Sequence, residues 1–116
     1  MKRILLLALP ALIAGHASAS TLTTRSFVID IKVNCEEGNV TCDNVTYVGT
    51  SRKSGKRITL RGKTSHGMCA DGVTPCRFLG YEFKNGKTSY RVSEDGMLMV
   101  VQGNKRVLEE KGEWKW

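Results

Sequence analysis

Proline and histidine are scarce, two of each in 116 residues, and aromatic residues make up only 7 % of the chain. So little proline excludes a proline-rich linker or a polyproline recognition segment. With only His16 and His66, the chain has no histidine pair for a metal, and it contains neither a nucleophile elbow nor a phosphate-binding glycine loop. Beyond the first 19 residues there is no sustained helical period and nothing close to the roughly 20 apolar residues of a membrane-spanning helix. Acids are few as well: 11 against 18 lysines and arginines, with none between Asp43 and Asp71.

What is present begins with a targeting pattern. Lys2 and Arg3 precede an apolar run from Ile4 to Ala14, and Ala17-Ser18-Ala19 has the small-x-small form of a signal-peptidase site. Residues 1–19 are therefore expected to be a signal peptide, and residues 20–116 a single exported β-domain in the periplasm or outside the cell, with no transmembrane anchor. Taking 19 residues from 116 leaves 97, and removing Lys2 and Arg3 lowers the formal charge from +7 to +5. A chain of that length makes one domain with a small core.

Small cores in oxidising compartments are usually stapled. CEEGNVTC (35–42) and CADGVTPC (69–76) repeat one plan, cysteines flanking an acid-glycine pair. Cys35, Cys42, Cys69 and Cys76 allow three pairings. Chain entropy gives about 2.5 kcal/mol for an eight-residue loop and about 4 kcal/mol for a bridge from Cys35 to Cys76. Short loops close soonest, however, so Cys35 with Cys42 and Cys69 with Cys76 is the expected pattern. Six residues between cysteines is too wide for the usual zinc or redox spacings, so neither a metal site nor any cofactor is expected.

From Ser26 onward, alternation with period two and closely spaced turn residues predict an all-β fold: a small antiparallel meander of six to eight short strands, closed as a barrel or sandwich. Phe27, Ile29, Ile31 and Val33 share one face of the first strand, and Ile58 and Leu60 face inward between Arg57, Thr59 and Arg61. Residues 20–25 read as a loose lead-in. A two-residue turn at Asn85-Gly86 sets Lys84 against Lys87, Tyr81 against Tyr90 and Leu79 against Val92. A second at Asp95-Gly96 sets Val92 against Met99 and Tyr90 against Val101. The face assignment is ambiguous beyond that point, because Leu98, Val100 and Val107 share the opposite face.

Ile58-Thr59-Leu60-Arg61-Gly62-Lys63, then Tyr81-Glu82-Phe83 and Tyr90-Arg91-Val92, resembles the strand plan of periplasmic OB-fold proteins over about a third of the chain. In size, export and cystines the chain is also similar to small periplasmic lysozyme inhibitors. Positive net charge opposes that implication, since lysozymes of the common type are themselves basic.

The charge asymmetry supplies the main functional candidate. Arg52, Lys53, Lys56, Arg57, Arg61 and Lys63 carry +6 in one hairpin, so the rest of the mature chain sums to −1. Such a cluster steers polyanions, which suggests a non-enzymatic binding domain that docks an anionic envelope component or an acidic protein. No aromatics are interleaved with these charges, which argues against a nucleic-acid platform. The alternative is a protein-directed inhibitor or immunity-like factor that uses a cystine-braced loop, with Asp71, Val73 and Thr74 at its tip. His66 reads as a polar residue of a glycine-rich loop, and Glu109, Glu110 and Glu113 as acids with no cleft to span. No catalytic residue is assigned.

Overall fold

The computed structural model describes residues 18–36 and 38–116. The expected signal peptide thus lies outside the described residues, except for Ser18 and Ala19. Among the described residues nine strands follow one another: β1 (Ser18–Thr23), β2 (Phe27–Val33), β3 (Val45–Ser51), β4 (Arg57–Met68), β5 (Pro75–Asn85), β6 (Thr88–Ser93), β7 (Met97–Gln102), β8 (Lys105–Lys111) and β9 (Glu113–Lys115). They form one sheet in the order β8-β7-β6-β5-β4-β3-β2-β1-β9. Strands β8 and β9 stand at opposite edges of that sheet, yet only Gly112 separates them in the chain. The sheet must therefore curl until its edges meet, and the fold is a nearly closed antiparallel barrel. The count exceeds the expected six to eight because β9 is a three-residue continuation of β8 that pairs with β1.

Every strand from β1 to β8 lies beside its neighbours in sequence, a plain meander. This departs from the Greek-key path of an OB fold, although the strands that carried the resemblance are present. The core is what period-two alternation demands: Ile29 and Ile31 on β2, Val45 and Tyr47 on β3, Tyr81 and Phe83 on β5, all buried. An aromatic column runs through it, with Phe78 to Tyr81 at 5.2 Å, Tyr81 to Phe83 at 6.4 Å, Phe83 to Tyr47 at 5.0 Å and Tyr47 to Tyr90 at 5.5 Å between ring centroids.

Three expectations are corrected. Residues 20–25 are not a loose lead-in: β1 pairs with both β2 and β9, and its Leu22 is fully buried. A lone leucine among threonines gives little local signal, and only the returning β9 shows that it faces a core. The expected leader boundary after Ala19 falls inside this strand, but Leu22 stays on the mature side.

In the β5–β6 hairpin Asn85 pairs with Thr88, Phe83 with Tyr90 and Tyr81 with Val92. The turn is Gly86-Lys87, with Gly86 at φ 63°, rather than Asn85-Gly86. This moves the register by two residues, an even step that keeps Tyr81 and Phe83 on their expected face. Leu79, expected on that face opposite Val92, is instead 42 % exposed, because the register shifts beside His66 bring Phe78 against the core in its place. The β6–β7 turn moves it by one. Its loop is three residues, Glu94-Asp95-Gly96, with Gly96 at φ 99° and its N–H donating to the Ser93 carbonyl at 3.1 Å. A three-residue loop with a left-handed glycine is the next commonest hairpin connection, and the odd step reverses the faces of β7. Val92 therefore pairs with Leu98 and Tyr90 with Val100, so Leu98 and Val100 are buried while Met99 and Val101 turn outward.

Candidate functional site

The basic residues sit on the β3–β4 hairpin, whose tip is tightly bonded. Ser51 N–H donates to the Lys56 carbonyl and Gly55 N–H to the Ser51 carbonyl, each at 2.8 Å. The Ser51 and Ser54 hydroxyls each accept a further N–H at 3.2 Å. Arg52 ties the tip to the β1–β2 turn: its guanidinium donates to the Thr24 carbonyl and its N–H to the Ser26 carbonyl, both at 2.8 Å. Lys53 is exposed at the tip, and Lys56 lines a cavity in the barrel wall.

Arg57, Arg61 and Lys63 alternate along β4 on its outer face, all exposed. Arg61 donates to Asn44 Oδ1 at 3.1 Å, and Lys63 stands opposite Glu82 in the β4–β5 register. The six cations thus divide into an outer-face row of three and a tip group that faces the β1–β2 turn and the cavity. The ion pairs among the described residues are Arg91–Glu82 at 3.6 Å and Arg106–Glu109 at 2.6 Å, so none of the six is neutralised in this way.

Both expected bridges are formed, Cys35–Cys42 with Cα atoms 5.8 Å apart and Cys69–Cys76 with 5.1 Å. They brace the β2–β3 and β4–β5 connections. In the second, the Asp71 carboxylate accepts from Val73 N–H at 3.0 Å, from Thr74 N–H at 2.9 Å and from the Thr74 hydroxyl. The Thr74 bonds, with Val73 N–H, lower the Asp71 pKa to about 2. Asp71 and Thr74 therefore serve to shape the loop, while Val73 is 76 % exposed at its tip.

The apolar cavity at the hairpin end of the barrel was not legible as a site in the sequence. It measures about 290 Å³ and is lined by Phe27 from β2, Tyr47 from β3, Ile58 from β4, Tyr90 from β6 and Leu108 from β8, with Lys56 at its rim. It lies where the closing strand has no second partner, since β9 rather than β8 pairs with β1. Gly49 makes room for the Tyr47 ring, which a Cβ there would approach to 2.7 Å. Burial, with Tyr90 adding to it, pushes the Tyr47 phenol far above its usual range. The available signal was alternation carried to the strand ends, where Phe27 and Ile58 occupy inward positions with too few neighbours to cover them.

His66 is not in a loop. It lies on β4 beside a register shift, with Nε2 3.0 Å from Thr64 Oγ1 and its ring 5.7 Å from Phe78. Glu110 accepts from Thr24 and Ser26 in the β1–β2 turn, and Glu109 holds Arg106. These two acids do structural work. Among the described residues no group of three or more His, Cys, Asp or Glu is placed to hold a metal ion, and no helix is long and apolar enough to cross a membrane.

The class of protein so defined is a cystine-stapled, nearly closed antiparallel β-barrel with a cationic hairpin. Comparison with known proteins finds no matching family model, curated protein or solved structure.

Proposed function

We propose that this chain is an exported, non-enzymatic binding domain whose β3–β4 hairpin docks anionic components of the cell envelope. The observation that carries the reading is the row Arg57, Arg61 and Lys63, exposed on one outer face and in none of the ion pairs among the described residues, with Lys53 exposed at the tip of the same hairpin. Phosphate-bearing lipid surfaces are the ligand such a row fits best, because exposed lysines and arginines near a surface each add attraction that salt screens. The leader-like residues 1–19 and the two cystines favour the periplasm or the cell exterior, where such surfaces are met.

The test is binding of the disulfide-bonded protein to vesicles rich in anionic phospholipid, measured across a salt series. If about four to six cations take part, the logarithm of the binding constant should fall with that of salt with a slope of roughly −3 to −5, by analogy with nucleic acids. Replacing Arg57, Arg61 and Lys63 together by glutamate should abolish binding. Salt-insensitive binding, or binding that survives the triple reversal, would exclude the reading.

One observation favours a second reading, a protein-directed inhibitor. The Asp71-braced loop presents Val73 and the neighbouring Met68, 76 % and 57 % exposed, as a prearranged apolar tip. A loop ordered before contact loses less entropy on binding. Charge reversal on β4 would spare such a partner, whereas Val73→Asp would not.

A further inference from the structure

The cavity at the hairpin end of the barrel combines features that the docking of a charged surface does not use. Its wall is mainly apolar, with Ser51 and the Tyr47 phenol as its polar groups besides Lys56. Among the described residues no carboxylate lines it, while Lys56 does. Ile58 remains 38 % exposed at the opening, so an inward-facing aliphatic side chain is left facing solvent. A pocket with a mainly apolar body and a lysine at its rim matches a molecule with an apolar tail and a negative head.

Size narrows the class. About 290 Å³ is the space of roughly ten water molecules at about 30 Å³ each, and a methylene group takes up about as much. Barrels of about eight strands leave an interior that holds side chains or one small ligand. Here the aromatic column fills most of it and leaves the space at one end.

We propose that this cavity binds a single-chain amphipathic anion, with a tail of about eight to ten carbons against Phe27, Ile58, Tyr90 and Leu108 and its head group at Lys56. The inference rests on the anion-docking reading for the sign of the head group. It does not use the outer-face row, because Arg57, Arg61 and Lys63 do not line the cavity.

The experiment is calorimetric titration of the disulfide-bonded protein with decanoate below its micelle threshold. Hexanoate, octanoate, dodecanoate, decanol and inorganic phosphate are the comparators, and methyl NMR locates the site. Decanoate should bind one to one, each methylene removed should weaken binding about fourfold, and dodecanoate should gain less than the same step predicts. Inorganic phosphate alone should not bind measurably. Shifts should appear at Leu98, Val100 and Leu108. Lys56→Glu should weaken decanoate about tenfold and leave decanol unchanged, and Ile58→Trp, at an exposed position, should weaken both without moving the unfolding midpoint.

A flat chain-length series, a stoichiometry above one, or shifts confined to Leu79, Met97 and Met99 on the outside would overturn the proposal. The triple glutamate variant keeps the two ideas apart. Decanoate binding that persists in it while vesicle binding is lost supports both. If vesicles never bind, only the docking reading fails, and the chain-length series still decides the cavity.

Discussion

Glu110 fastens the β1–β2 turn to the closing strand. Its carboxylate accepts from the Ser26 hydroxyl at 2.6 Å, from Thr24 Oγ1 at 2.8 Å and from Ser26 N–H at 3.1 Å, across more than eighty residues of chain. Thr24 is itself buried, and without this acceptor its hydroxyl is left to donate only to the Phe27 carbonyl at 3.4 Å, while the Ser26 hydroxyl and N–H lose theirs. Glu110→Ala should cost about 1–3 kcal/mol in urea unfolding. The same bonds, first that from Ser26 and then that from Thr24, hold the Glu110 pKa below its ordinary 4.5, with burial opposing them and Arg25 assisting. A depressed folded pKa stabilises the protein above the unfolded value, and that contribution is lost as pH falls through the folded one. Stability should therefore decline below about pH 4.5, and Glu110→Gln should flatten that part of the profile. Gly96 is the other decisive residue. Its φ is 99° and a Cβ would lie 2.7 Å from the Gly112 carbonyl oxygen, so Gly96→Ala should cost about 2 kcal/mol by thermal unfolding.

At the scale of elements, the two cystines are similar in sequence and unequal in place. Cys42 is 5 % exposed within the core, and its N–H donates to Thr64 Oγ1 at 3.0 Å, whereas Cys76 lies exposed on a strand end whose loop is already braced by Asp71. Each closes an eight-residue loop, worth about 2.5 kcal/mol on chain entropy alone. Replacing Cys35 and Cys42 by serine should lower the unfolding midpoint more than replacing Cys69 and Cys76, because it also buries a hydroxyl in apolar surroundings. For the second pair, faster amide exchange confined to residues 66–78 should accompany the smaller loss. Equal midpoints for the two double variants would mean that neither burial nor the Asp71 turn matters.

At the scale of the molecule, one short strand turns a curled sheet into a nearly closed barrel. β9 contributes three residue pairs to β1, and its Trp114 donates to the Ser93 carbonyl at 3.2 Å while packing edge-on against Tyr81 at 6.2 Å. Truncation after Lys111 removes these and leaves β1 with an unpaired edge, the usual template for self-association. The truncated chain should lose at least about 2 kcal/mol and form concentration-dependent oligomers in size-exclusion chromatography. A monomer of unchanged stability would show that the barrel does not depend on this closure.

The strand class, the meander, the pairing of neighbouring cysteines and the location of the cationic hairpin were all legible in the chain, because each depends on local signals: period-two alternation, turn residues and short loop closure. Alternation also named most of the core, and at Tyr81 and Phe83 it survived a two-residue slip at Gly86 because an even slip preserves faces, whereas Leu79 was turned outward by the register shifts beside His66. It failed at Gly96, where one extra loop residue reversed β7, and loop length is settled by which register packs better across the barrel. The role of residues 20–25, the anchoring by Glu110 and the cavity beside Lys56 became visible only in three dimensions. Each depends on strands β8 and β9 returning to β1, and no local pattern records contacts between the two ends of a chain.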